Sequence, residues 1–188
     1  MEDSVQFIAC DLPGLTIIEH DVFRDSRGYF LESYNKKIFH QNGLDVEFVQ
    51  DNISFSGKGT LRGLHYQLAP HAQGKLVRVT QGQVYDVAVD IRRGSPTFGK
   101  WMGIELSAEN HKALYIPAGF AHGFYVQSEL AQFVYKCTNF FVREADRGIL
   151  WSDPQIGIDW PERKTLILSD KDRQHPPLQE AEINFIYS

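Results

Sequence analysis

The feature that most constrains this chain is its punctuation. Short runs rich in β-branched and aromatic residues recur along the whole length. Clusters of Gly, Pro, Asn, Asp and Ser interrupt them roughly every 8 to 12 residues. Only residues 36–42, closed by Gly43, read as one or two helical turns. About ten short strands with hardly any helix require an all-β sandwich or barrel. At 188 residues, 1–188 is expected to form a single domain with a core of its own.

The strands are expected at 15–23, 29–34, 45–55, 60–67, 74–79, 84–90, 99–106, 112–116 and 131–141. Alternation places Phe48, Gln50 and Asn52 on one face, and Phe133, Tyr135 and Cys137 on another. Met102, Ile104 and Leu106 face away from Trp101 and Glu105. Gln81-Gly82 lies between two apolar runs and reads as a hairpin turn. Residues 146–158 are looser, and Pro176-Pro177 opens a tail, 176–188. The apolar residues 183–187 predict that this tail docks.

Charge and cysteine content exclude several functions. The net charge is −5, with no block of basic residues, which argues against non-specific nucleic-acid binding. A small anion gripped by two or three Arg or Lys is still allowed. Two cysteines, Cys10 and Cys137, make no disulfide framework and fit a reducing cytoplasm. Met1-Glu2-Asp3-Ser4 does not read as a signal peptide. No stretch reaches the roughly 18 apolar residues of a membrane span. The 13 Phe, 8 Tyr and 3 Trp suit strands and pockets for flat ligands.

Chemistry concentrates between Thr60 and Asp90. Alternation puts Leu61, Gly63, His65 and Gln67 on one face, with Gly63 leaving room beside the His65 ring. His65 is either a hydrogen-bonded core histidine or a general base. Lys75 begins the next strand, where a solvated lysine is the plain expectation. Asp172 sits in a charged loop that is ordinarily exposed. Tyr135, on an apolar face, is expected to pack with its hydroxyl on backbone. A metal site is disfavoured: His65-Tyr66-Gln67 has Gln where a His-x-His pair would need its second His. His122 with His65 makes two imidazoles without a suitably placed carboxylate.

Several long motifs in order then carry a resemblance. They are Arg27-Gly28-Tyr29-Phe30-Leu31-Glu32-Ser33, Phe48-Val49-Gln50-Asp51-Asn52, Leu61-Arg62-Gly63-Leu64-His65-Tyr66-Gln67, Gln73-Gly74-Lys75-Leu76-Val77-Arg78, Asp86-Val87-Ala88-Val89-Asp90-Ile91-Arg92, Ile116-Pro117-Ala118-Gly119-Phe120-Ala121-His122-Gly123-Phe124 and Leu168-Ser169-Asp170-Lys171-Asp172. Over about residues 12–178 the chain resembles the dTDP-4-dehydrorhamnose 3,5-epimerase family of cupin-fold enzymes. The resemblance implies a jelly-roll β-sandwich or barrel with few short helices, and a homodimer with N-terminal strands 1–35 in its contacts. It implies no metal and no cofactor. The implied substrate is dTDP-4-keto-6-deoxy-D-glucose, inverted at C3 and C5 in dTDP-L-rhamnose synthesis. A relative inverting one centre, or a sugar-nucleotide-binding cupin without activity, is the alternative.

The resemblance also assigns roles. His65 is the base, Asp172 its partner, Lys75 the charge at the enolate oxygen and Tyr135 the acid. Arg27, Glu32, Gln50, Asn52, Arg62, His122 and Lys171 belong to the substrate site. Arg27 and Glu32 reach a neighbouring subunit's site. Phe141 stands where the family commonly stacks Tyr on thymine, and Asp146 where it often has Glu. Arg62 and His65 have opposite strand parity, so a bulge near Gly63 or a side chain curling round the strand edge is required for both to reach one ligand.

Overall fold

The computed structural model describes residues 5–187. The acidic start Met1-Glu2-Asp3-Ser4, read above as no signal peptide, lies outside them, as does Ser188 at the end of the tail. The strands are β1 (Gln6–Ala9), β2 (Thr16–Glu19), β3 (Phe23–Asp25), β4 (Gly28–Phe30), β5 (Gln50–Gly57), β6 (Leu61–Gln67), β7 (Lys75–Gln81), β8 (Gln83–Asp90), β9 (Trp101–Ser107), β10 (Ala113–Ile116), β11 (Phe120–Val126), β12 (Leu130–Cys137) and β13 (Asp146–Gly148). Two short helices, α1 (Lys36–Gln41) and α2 (Asp170–Arg173), complete the order. The helix expected at 36–42 forms because Asn35 caps it: its side-chain oxygen accepts from the backbone N–H groups of Lys37 and Ile38. Such a cap contributes about 1 kcal/mol.

Two antiparallel sheets face each other, the sandwich expected from the strand pattern and the jelly-roll architecture the resemblance implies. One has six strands in the order β1-β2-β10-β7-β12-β5, the other five in the order β13-β6-β11-β8-β9. Between them lies a core built from Val77, Val79, Leu114 and Phe133 of the first sheet and Val84, Ala88, Leu106 and Phe124 of the second. A second core covers the outer side of the five-stranded sheet. There Tyr66, Val87 and Val89 meet Ile149, Ile158, Trp160, Leu178 and Phe185 from the C-terminal third. Apolar packing on both faces explains why Val84-Tyr85-Asp86-Val87-Ala88-Val89 is nearly continuous in hydrophobicity. A third cluster, around Phe39 of α1, covers part of the six-stranded sheet. The tail docks as predicted: Ile183 and Phe185 are buried, and the Tyr187 N–H donates to Arg93 O at 3.0 Å.

Several local expectations need correction. Gln81-Gly82 is not a hairpin, because β7 and β8 belong to different sheets. It is the corner where the chain crosses the sandwich. Gly82 sits at φ +74°, and a Cβ there would stand 2.0 Å from Leu130 O. The strand expected at 29–34 ends at Phe30, that at 45–55 begins only at Gln50, and that at 131–141 stops at Cys137. Phe48 therefore packs in the α1 cluster rather than beside Gln50, and Phe141 lies on a loop. Among the described residues, no helix is long and apolar enough to cross a membrane.

The bulge in β6 is the local feature that matters most. Against β11, His65 pairs with His122 but Arg62 pairs with Phe124. Three residues on β6 thus span two on β11. The extra residue reverses the strand's parity. Leu61, Leu64 and Tyr66 pack outward into the C-terminal core, leaving Arg62, His65 and Gln67 to the opposite face. Leu61 does not share a face with His65, as plain alternation predicted. The space at Gly63 is filled by backbone: a Cβ would meet Gly123 Cα at 2.6 Å and His122 O at 2.7 Å, and φ is +122°.

Candidate active site

A cavity of about 400 Å³ opens between the sheets, lined by residues from β5, β6, β7, β12 and β13. His65, on the five-stranded sheet, faces Lys75 and Tyr135, on the six-stranded sheet. Gln50, Asn52, Phe141, Asp146 and Lys171 complete the predicted part of its wall.

His65 and Asp172 form a pair. His65 Nε2 lies 2.5 Å from Asp172 Oδ1, so Nε2 carries the proton and Nδ1 its lone pair. Nδ1 makes no hydrogen bond among the described residues. Asp172 is 3% exposed, not the solvated loop residue expected. Ser169 explains this: it caps α2 through the Asp172 N–H and donates its hydroxyl to Asp172 Oδ2 at 2.8 Å. Burial alone would push the Asp172 carboxyl up. Contacts from His175, His65 and Ser169 outweigh it and hold the group below the usual carboxylate range. Burial holds the His65 imidazole below its ordinary 6.5; Asp172 pulls it up, while Lys75 and Lys171 push it further down. The site therefore keeps a neutral imidazole beside an anionic carboxylate.

Lys75 is not the solvated strand-end lysine expected. Its ammonium makes no ion pair among the described residues, and burial lowers its pKa against the pull of Cys137, Asp86 and Asp146. Tyr135 shares its face with Phe133 and Cys137, as predicted. Its hydroxyl has no protein partner among the described residues, contrary to the backbone bond expected. Burial raises its pKa, so it stays a donor at neutral pH.

The wall around these groups is tied together. Gln50 donates to Asn52 Oδ1 at 3.0 Å and accepts from the Phe141 N–H at 2.9 Å. Lys171 is paired with Asp146. Arg62 is exposed and donates to Ser56 Oγ at 3.1 Å, in a recess beside the cavity that also reaches Asp172. Its charge still acts on Tyr135. His122 does not line the cavity; it is buried and bonded to Asp86 Oδ2 at 2.9 Å. Arg27 and Glu32 are not brought to the cavity of their own chain. Arg27 pairs with Asp25 on the β3–β4 hairpin, and Glu32 accepts from Asn35.

Three contributors escaped sequence reasoning. Gln67 pins the loop that carries Phe141, donating to His71 O and Phe140 O and accepting from the Val142 N–H. Alternation places it on the face of His65, and the absent His-x-His pair names its position, but neither signals this bonding role. Ser169 was legible as a helix cap three residues before Asp172. His175 gave no signal, since only folding brings it to Asp172.

The suitably placed carboxylate expected to be missing from a metal site is present. A carboxylate does stand between two imidazoles: His65, Asp172 and His175 bring ligand atoms within 4.8 Å of one another. Ligands at about 2.0 Å from a tetrahedral ion stand about 3.3 Å apart. The 2.5 Å between His65 and Asp172 is instead a hydrogen bond.

A jelly-roll barrel with this histidine–aspartate pair, a buried lysine and a tyrosine facing one cavity defines a cupin-type isomerase working by proton transfer. The chain matches the family described as dTDP-4-dehydrorhamnose 3,5-epimerase over residues 9–180, and it belongs to that family. It is 60% identical to the dTDP-4-dehydrorhamnose 3,5-epimerase of Shigella flexneri, over 88% of this chain and 91% of the relative. It is 55% identical to that of Pseudomonas aeruginosa, over 91% and 94%. The crystal structure of dTDP-6-deoxy-D-glucose-3,5-epimerase from Legionella pneumophila in complex with dTDP-4-keto-L-rhamnose superimposes with a TM-score of 0.95. It is 47% identical and covers 98% of this chain and 99% of its own.

Proposed function

We propose that the cavity binds dTDP-4-keto-6-deoxy-D-glucose and that the chain inverts C3 and C5 in dTDP-L-rhamnose synthesis. The observation that carries this is the placement of His65 and Tyr135 on opposing sheets. A sugar ring held between them presents one face to a base and the other to an acid, as inversion requires.

The C4 ketone acidifies the C–H bonds at C3 and C5. His65 Nδ1 takes one of these protons, and the electron pair moves through the new C=C bond onto the ketone oxygen. Asp172 stabilises the imidazolium that forms. Lys75 supplies positive charge where the enolate oxygen develops. Tyr135 returns a proton to the opposite face, and solvent then reprotonates Tyr135 and deprotonates His65. Phe141, 54% exposed at the rim, suits stacking on the thymine ring. Arg62 suits the diphosphate, since a guanidinium matches phosphate oxygens in pairs.

The working form is a homodimer in which Arg27 and Glu32 complete the partner's site. Two features support this. Both residues stand away from their own cavity, and Phe23, Phe30, Ile53 and Phe55 are exposed on the nearby hairpin and on edge strand β5. Solvent exposure of that much apolar surface marks an interface. The N-terminal strands up to residue 35 then carry dimer contacts, as far as they lie among the described residues, and the compartment is the cytoplasm.

The test is His65→Ala. Loss of turnover with dTDP binding unchanged by calorimetry supports the reading; a wild-type protein that binds and never turns over overturns it.

A further inference from the structure

We propose that His175 is a positioning residue that donates through Nε2 to Asp172 Oδ1 and so divides that oxygen between two imidazoles, lowering the basicity of His65. The inference rests on the proposed role of His65 as the base.

Three observations lead to it. The His175 side chain is 8% exposed, and its Nε2 lies 3.5 Å from Asp172 Oδ1, the same oxygen that His65 Nε2 reaches at 2.5 Å. At that distance the contact falls short of a hydrogen bond, and the buried nitrogen has no hydrogen-bond partner among the described residues. A buried polar atom left unpaired is costly, and the Asp172 carboxylate stands within a small adjustment of it. The second observation is the seat. The ring rests on Gly148, where a Cβ would stand 2.3 Å from Nε2 and 2.4 Å from Cε1. Gly148 is itself the ladder partner of His65. No other residue type at 148 leaves room for the ring. The third is rigidity. Leu150 N–H donates to Pro176 O at 2.9 Å, and two consecutive prolines follow His175 and fix the backbone. The rings of His175 and His65 meet edge to face at 5.5 Å.

The consequence for basicity follows from charge. An Asp172 with one imidazole donor would give that imidazolium its full stabilisation. A second donor on the same oxygen withdraws part of it, and Ser169 takes the other oxygen. His65 also feels Lys171 from α2 and Lys75 from β7, with Asp146 of β13 and Tyr135 of β12 on the same cavity. Arg147 of β13 turns away to Glu182. Removing the His175 donor therefore moves the His65 titration upward.

Nitrogen-detected NMR of histidine-labelled protein tests this without substrate. The His65 resonance is assigned by its loss in His65→Ala. His175→Phe, which keeps the ring and removes the donor, is expected to raise the His65 midpoint by about 0.5 to 1 in pH, a three- to tenfold gain in proton affinity. His175→Gln, which restores an N–H donor, is expected to return it toward wild type. The acid limb of kcat/KM should move with the midpoint while dTDP affinity stays constant. An unmoved or falling midpoint in His175→Phe overturns the inference, as does a Gln variant that shifts as far as Phe. Should the Phe variant not fold, the wild-type spectrum decides. A proton on His175 Nε2 at neutral pH is required, and an unprotonated Nε2 overturns the proposal. A shifted midpoint in a protein without turnover would sink the epimerase reading and leave this one standing.

Discussion

Replacing Gly63 with alanine tests the bulge that brings Arg62 and His65 to one face. The new methyl carbon would stand 2.6 Å from Gly123 Cα and 2.7 Å from His122 O, both backbone atoms of β11. Neither can swing aside as a side-chain tip would. The φ of +122° adds a strain of about 1–3 kcal/mol for any residue with a Cβ. Forcing packed backbone apart costs about 1–3 kcal/mol more. The sum, about 2–6 kcal/mol, lowers Tm by at least about 4 °C, at roughly 2–4 °C per kcal/mol for a chain of this length. Turnover should fall as well, because relief of the clash moves β6 away from β11 and His65 with it. Gly57→Ala is the control: it lies in edge strand β5, and its nearest neighbour would be Glu129 O at 3.9 Å. Its Tm should stay within about 2 °C of wild type. Calorimetry of both variants decides. A Gly63→Ala protein that melts with wild type and keeps its kcat would refute the argument that the bulge has no room for a Cβ.

Other outcomes follow from the same geometry. The acid limb of kcat/KM should fall below 6.5, because His65 is lowered and its neutral, proton-accepting form persists to lower pH. The alkaline limb should fall below 10.5, because Lys75 is also lowered and its charge is lost earlier than for a free lysine; a pH–rate series places both. Tyr135→Phe should cost about 10²- to 10⁴-fold in turnover with little change in Tm, since the hydroxyl has no protein partner to lose. Gln67→Leu should destabilise the fold by about 2–4 kcal/mol, since it strands the Val142 N–H and two carbonyls. It should also raise KM by releasing the loop of Phe141, as a melt and steady-state kinetics would show.

Much of the fold was legible because alternation and turn chemistry are local. The β9 pattern of Met102, Ile104 and Leu106, the α1 helix with its Gly43 stop, and the docking tail all follow from neighbours in sequence. What local reading missed was partnership between strands. Gln81-Gly82 carries a turn signal in either case, and nothing nearby says whether the next strand joins the same sheet or the facing one. The bulge at Gly63 is of the same kind. The parity conflict between Arg62 and His65 announced it, but its position depends on β11 pressing against Gly63. Local reading left Asp172 as an exposed loop residue, though the resemblance paired it with His65, and gave no sign of His175, for a related reason. Their burial comes from the C-terminal segment folding back on β6 and β13, more than a hundred residues away for His65 and Asp172. Arg27, on the β3–β4 hairpin, and Glu32, just after it, have no reader within one chain, since neither lines its own cavity.

The most direct test of the account is proton NMR of dTDP-4-keto-6-deoxy-D-glucose incubated with the enzyme in deuterium oxide. Proton removal and return at both carbons flanking the ketone predicts deuterium at C3 and at C5, with an L-rhamno product after reduction of the ketone. Label at one carbon alone, or at neither while the ligand stays bound, would contradict it.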